Sequence, residues 1–197
     1  KGVDGEYYTV GMDMANLRIE GFKVFLFGTP GLLRFAVMRD VVVKGADGVL
    51  FLFDAADPSK DKEAISMLNS IRGLIGSDIP MVFVVNKTDL KDARPPEVVR
   101  AQNSLSKDVK VFATSAKTGK NVKEALKYVV NEVFDKHKEL LAIMREYETD
   151  IKGLAERLNK NKSQMRTLLN NLELKHFIEI NRLEKTYKLV SGLKNVI

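Results

Sequence analysis

The sequence contains no cysteine. Disulfide bridges and thiolate metal sites are thereby excluded, and a reducing, intracellular setting is favoured, so a cytoplasmic location is expected. Long apolar runs are also missing, and none reaches the length of a membrane-spanning helix. Lys1-Gly2 opens no signal peptide. The C-terminus carries no lipidation motif, so no membrane anchor is expected. Lys1 stands where an initiator methionine would, which leads to the expectation of a fragment, or of numbering that begins inside a longer chain. What the sequence has in quantity is apolar residues. They make up 45% of its 197 positions, enough for a packed core in one large domain or two small ones, and this argues against bulk disorder.

Charge is unevenly placed. The net charge is +6; residues 136–197 hold 13 Lys and Arg against 8 Asp and Glu, and residues 1–135 hold 19 against 18. The basic excess therefore lies in the C-terminal third. It suits a nucleic acid or another acidic partner there, and it equally suits an ordinary solvated surface.

The middle of the chain is the most informative. Residues 81–85, MVFVV, form an apolar, mostly β-branched or aromatic run that suits a strand buried on both faces of a parallel sheet. The run stops at Asn86-Lys87-Thr88-Asp89. A second apolar strand, 109–113, stops at Thr114-Ser115-Ala116-Lys117, with Ser115 lying 29 positions after Asn86. Ligands of open α/β sheets sit off the carboxyl ends of the strands. Both polar stretches thus stand where a ligand would be held, although each taken singly is also an ordinary strand-ending turn.

N-K-x-D after one strand and S-A-K after the next resembles the guanine-reading pair of Ras-like small GTPases. The resemblance implies that the Asp89 carboxylate accepts hydrogen bonds from the N1-H and N2 amino groups of guanine. Adenine has no donors there and would leave a desolvated charge unpaired. It also implies that Asn86 braces the base and the neighbouring loop, that Lys87 and Lys117 lay their stems over base and ribose, and that the Ala116 N–H, beside Ser115, meets guanine O6. Upstream, T-V-G-M-D at 9–13 resembles the end of a first switch loop, where Thr9 would ligate Mg²⁺ through its hydroxyl and reach the γ-phosphate with its N–H. G-T-P-G-L-L-R-F at 28–35 resembles the second switch, with the Gly31 N–H at the γ-phosphate. The strand within 46–54 is similar to the family's next strand and is assigned to the core, with no chemistry. The implied cofactors are GTP or GDP and Mg²⁺. The implied activity is GTP hydrolysis to GDP and phosphate, and the implied partners are guanine nucleotide and activating or effector proteins.

Two residues depart from the family's pattern. Gly28 stands where most relatives carry an Asp that holds a Mg²⁺-bound water, and F-G-T-P-G resembles a prokaryotic branch of small GTPases of the gliding-motility and conservon types. Leu32 stands where relatives carry the Gln that orients the attacking water. Leucine offers no donor or acceptor, so no catalytic residue is assigned and slow or impaired hydrolysis is expected. Either the natural protein hydrolyses slowly or through another residue, or Leu32 was introduced to trap the GTP state. The phosphate-binding string G-x-x-x-x-G-K-[ST] does not occur in the 197 residues. The opening strand, that loop and the first helix are therefore expected upstream.

Residues 12–20 and 22–27 read as two strands of a hairpin joined near Glu20-Gly21, and 58–75, 95–105 and 121–134 as helices. Beyond Lys138 the pattern changes. Residues 140–144 and 151–158 read as helices and 159–162 as a polar turn. Residues 164–174 form a third helix capped by Ser163, with an apolar stripe of Met165, Leu168, Leu169 and Leu172; 177–180 and 186–190 are two strands around a charged turn. This order resembles a winged helix-turn-helix domain. The resemblance implies that the third helix enters the major groove of double-stranded DNA and that the wing meets its backbone. The candidates are Ser163, Gln164, Arg166, Thr167 and Asn170 on the helix, Arg182, Lys185 and Lys188 on the wing, and Lys160 and Lys162 in the turn. Exposed lysines are also commonplace, and many winged helices bind proteins. His137 and His176 have no carboxylate or cysteine pattern around them and are read as packing or surface residues.

The expected fold is α/β, a P-loop-NTPase-type sheet flanked by helices but lacking its N-terminal strand and phosphate loop, plus a small α+β winged-helix domain. Residues 1–135 and 136–197 are the expected domains, joined around 134–138, where one continuous helix could link them. The expected function is a guanine-nucleotide-binding switch with a winged-helix output to DNA or a protein. The alternatives are a degenerate GTPase scaffold and a winged-helix transcription regulator not driven by nucleotide.

Overall fold

A computed structural model describes residues 12–19, 22–30, 35–76, 79–191 and 193. The chain divides into two compact units: described residues through Ala15 with Leu26–Val133, and Asn16–Phe25 with those from Phe134 onward. The expected hairpin is present as two paired strands, β1 (Asp13–Ile19) and β2 (Phe22–Gly28), while its turn at Glu20-Gly21 lies outside the described residues.

The first unit is built on a parallel sheet of β3 (Val49–Asp54), β4 (Met81–Asn86) and β5 (Val111–Ala113), with β4 in the middle. Parallel neighbours need a crossover. Helix α2 (Asp61–Leu74) carries the chain from β3 to β4, and α3 (Pro96–Gln102) carries it from β4 to β5. Val82, Phe83, Val84 and Val85 are all buried, as a central strand covered on both faces requires. Phe51, Phe53 and Phe83 stack with centroids 5.2–6.1 Å apart, and Leu68 and Ile71 of α2 close over them. Each such buried side chain stabilises the unit by roughly 1.5–3 kcal/mol. The register pairs Asp54 with Asn86 and Val85 with Ala113. Three strand ends therefore meet at one edge, and that edge carries the site.

Some elements differ from expectation. Residues 58–60 form a 3-10 turn, with the Asp57 carboxylate accepting the Ser59 N–H at 3.1 Å, and the α-helix starts only at Asp61. Helix α1 (Ala36–Lys44) was not anticipated. Its Val41-Val42-Val43 run favours a strand by propensity, yet Arg39 and Val43, one turn apart, are buried together while Val37 and Val41 face outward.

In the second unit, helix α4 (Val122–Arg145) brings its C-terminal part from Phe134 onward. The helical run expected at 140–144 is the last part of this one helix, which is continuous through the junction at 134–138; nothing there breaks the apolar spacing of Phe134, Leu141 and Met144, all buried. Helix α5 (Ile151–Arg157) is capped by Asp150, which accepts the Gly153 N–H at 2.9 Å. Helix α6 (Lys162–Leu174) starts earlier than expected. Its cap is Asn161, not Ser163: Asn161 and Gln164 exchange reciprocal 2.9 Å bonds in a capping box, and Ser163 already lies inside the helix. Strands β6 (Ile178–Asn181) and β7 (Thr186–Leu189) pair antiparallel. The Tyr187 hydroxyl donates to the Met144 carbonyl at 2.6 Å and so ties the hairpin to α4. The His137 ring lies 4.9 Å from Phe177, and the His176 ring lies 5.6 Å from Phe25, both as packing residues. Among the described residues no helix is long and apolar enough to cross a membrane.

Candidate functional site

The parallel register brings the two polar stretches side by side. Asn86 ends β4 and turns its Oδ1 toward the neighbouring loop, where it accepts the Ala116 N–H at 3.0 Å and the Thr114 hydroxyl at 3.2 Å. The Thr88 N–H and hydroxyl both donate to the Thr114 carbonyl, at 3.1 and 2.8 Å. Four hydrogen bonds thus join the end of β4 and its loop to the end of β5 and its loop. The Ser115 side chain is fully buried and accepts the Thr118 N–H at 3.1 Å. Its hydroxyl also hydrogen-bonds to Asp89, and this bond chiefly holds the Asp89 carboxyl below its ordinary range; the Lys117 charge helps. Asp89, Ala116 and Lys117 are exposed, so a carboxylate and an ammonium stand in solvent on a rigid base. The Ala116 N–H, assigned by family resemblance to guanine O6, is engaged by Asn86.

The base of the loop is made of groups that sequence reading missed. The Ala55 N–H donates to the Asn86 carbonyl at 2.9 Å, and the Ala55 carbonyl accepts the Arg94 N–H at 2.8 Å, so the stretch from Asn86 to Arg94 is closed at one buried residue. The Arg94 guanidinium also donates to the Asp54 carbonyl at 2.8 Å and to both Asp61 oxygens at 2.6 and 3.0 Å. Burial pushes the Asp61 carboxyl up, and hydrogen bonds from Arg94 and Asn103 outweigh it, leaving the group below its ordinary range. Lys87 donates Nζ to Asp54 Oδ2 at 2.7 Å. No short sequence motif announces these partners, since they are 33–40 residues apart and meet only through the sheet register.

Thr9, Gly31 and Leu32 lie outside the described residues. Gly28 ends β2 and supplies no carboxylate, but a Cβ placed there would sit 3.5 Å from the Asp13 Cβ. Asp13 of β1, an exposed residue, is therefore the carboxylate-bearing neighbour of Gly28 across the strand pair.

The second unit presents a different surface. Ser163, Gln164, Arg166, Thr167 and Asn170 are all exposed on α6, with Met165, Leu169 and Leu172 buried behind them. An open groove of about 1460 Å³ is lined by Lys152, Lys160, Lys162, Arg166, Arg182 and Lys185, with Asp150 and Glu156 as its carboxylates. Gln164 and Asn170 also line it, Ser163 and Thr167 face a shallower depression beside Lys160, and Lys188 lines neither. Two candidates are already engaged. Gln164 gives its Oε1 to the cap, and Arg182 donates to both oxygens of Glu173 at 3.1 and 2.6 Å.

The parallel sheet flanked by helices, with its polar loops at the carboxyl ends of β4 and β5, is consistent with the P-loop GTPase fold. The sequence model of the Ras family matches residues 4–135, and the chain belongs to that family. It is similar to the Arabidopsis thaliana Ras-related protein RABA2a, 29% identical over 131 residues that cover 64% of this chain and 60% of that protein. It is similar to the human Ras-related protein Rab-7b, 30% identical over 126 residues that cover 60% and 61%. A third relative is an uncharacterized protein of Methanocaldococcus jannaschii, 36% identical over 92 residues that cover 46% and 56%. The chain spans about three fifths of the length of these relatives.

Proposed function

We propose that the first unit reads the guanine base of GTP or GDP and works as a nucleotide-dependent switch. One observation carries the reading: Asn86 and Thr88 tie the two strand-end loops together and leave the Asp89 carboxylate, ionised and exposed, beside Lys117. Guanine offers two donors to such a carboxylate and adenine offers none. By the family resemblance, Thr9 would hold Mg²⁺ through its hydroxyl and the Gly31 N–H would meet the γ-phosphate. Leu32 makes hydrolysis slow. The phosphate-binding string G-x-x-x-x-G-K-[ST] does not occur in these 197 residues. Calorimetry on the intact protein with GTP, GDP and ATP in the presence of Mg²⁺ tests the reading. Guanine-selective binding that Asp89→Asn abolishes is the expected result, and equal affinity for ATP would overturn it.

The second unit is read as a winged helix-turn-helix output domain that contacts double-stranded DNA. Its groove favours that reading, with six cationic side chains against two carboxylates. The cytoplasm is the corresponding location, and the resemblance of F-G-T-P-G to a prokaryotic branch of the family supports a prokaryotic switch. A gel shift with random duplex DNA tests the output; no shift at low salt would move the reading to a protein partner.

A further inference from the structure

We propose that Asp54 is a positioning residue of the guanine site and acts through Lys87. The inference rests on the guanine reading of Asn86 to Asp89. Asp54 closes β3, a strand whose sequence speaks only of core, and its backbone does pair with Asn86. Its side chain has another task. The carboxylate is 13% exposed, accepts the Ala56 N–H on Oδ1 at 3.0 Å, and accepts Lys87 Nζ on Oδ2 at 2.7 Å. A carboxylate so far withdrawn from water calls for a cationic partner. Lys87 is 51% exposed and adopts φ 66°, a left-handed conformation that a non-glycine residue keeps only when its surroundings hold it there.

The arrangement orients a flexible side chain. A lysine on an exposed loop samples many rotamers. Anchoring its ammonium fixes the direction of the aliphatic stem, the surface that a purine and ribose would lie against. Asp54 is itself fixed, because its carbonyl accepts Arg94 Nη2 at 2.8 Å and Arg94 is clamped by Asp61. The two ends of the base-reading loop, Lys87 and Arg94, are therefore tied to one residue. The Lys87 end of this ion pair is half-exposed and screened by solvent, so the pair contributes little to stability. The effect of Asp54 belongs in nucleotide binding rather than in melting.

The test is a double-mutant cycle on the intact protein, read as the release rate of GDP carrying a ribose fluorophore. Asp54→Asn retains an acceptor for the Ala56 N–H and removes only the charge. It is expected to speed release about tenfold and leave the melting temperature within about 2 °C. In the Lys87→Met background, which keeps a long apolar stem without the ammonium, Asp54→Asn is expected to add less than about twofold. A full tenfold effect in both backgrounds, or less than twofold in the wild type, overturns the inference. Asp89→Asn separates the two readings. If it abolishes guanine preference while Asp54→Asn does nothing, only the role of Asp54 fails. If the wild type shows no guanine preference, the guanine reading fails and this inference with it.

Discussion

Asp89 is exposed, yet its carboxyl is held below the ordinary value of 3.8, first by the Ser115 hydroxyl and then, against desolvation, by its own backbone N–H and by Lys117. A depressed value means that the charge is present above the ordinary range and is lost only as the pH falls through the lowered one. Binding of labelled GDP should therefore stay flat from about pH 7 to about pH 5 and weaken only in stronger acid. Ser115→Ala should move that acid limb upward, and a pH titration of the two proteins side by side checks it. Tyr187 works in the opposite sense. Burial pushes its phenol well above the ordinary 10.0, and Glu148 adds to the effect. The folded state thus holds this proton longer than the unfolded chain, so its stabilisation is intact below about pH 10 and declines above it. Tyr187→Phe removes one of two donors to the Met144 carbonyl, which keeps the Tyr147 N–H at 3.1 Å, at a cost of about 1 kcal/mol. Urea denaturation at neutral and alkaline pH should show that loss, together with a shallower alkaline decline. Asp89 and Ser115 were legible in the sequence because their residue types and spacing are tied to base chemistry. Asp54, Arg94 and Tyr187 were not, because their partners lie 33–43 residues away and only the fold brings them near.

At the scale of the element, the central strand was the easiest to find. MVFVVN is apolar enough to be buried on both faces, and it is. Helix α1 was hidden by its valine run, whose local preference was overridden by burial of Arg39 and Val43 on one face. The start of α6 was misplaced because Ser163 and Asn161 are both good caps by residue type, and only backbone geometry separates them. The two assignments make different predictions. Asn161→Ala should destabilise the second unit by about 1 kcal/mol, and Ser163→Ala should stay within about 0.5 kcal/mol. Gly48, just before β3, gives a steric counterpart. A Cβ there would lie 2.8 Å from Val129 Cγ2 and 3.2 Å from Val133 Cγ2, so Gly48→Ala should cost about 1–3 kcal/mol unless those valines shift rotamer. Thermal melts of the three variants decide these points.

For the whole molecule, the proposed base-reading unit was visible as motif and the proposed output unit only as pattern. A guanine site needs particular atoms at a particular spacing, whereas a groove suited to a polyanion needs only a surplus of cations. Counting cations overstates that surplus, because Arg182 is already spent on Glu173, whose carboxyl is held below its ordinary range by the same hydrogen bonds. If the groove takes double-stranded DNA, neutralising Glu173 should release Arg182 to the phosphates. Each phosphate contact contributes about −0.9 to the slope of log K against log salt. Glu173→Gln should therefore steepen that slope by about one and tighten binding at low salt. Lys162→Ala should flatten the slope by about one, because Lys162 is exposed on the groove wall. Fluorescence anisotropy of a labelled duplex across a salt series measures both. Opposite shifts in the two variants would place the backbone of DNA in this groove. A slope indifferent to both would mean that the groove's charge serves a partner other than nucleic acid.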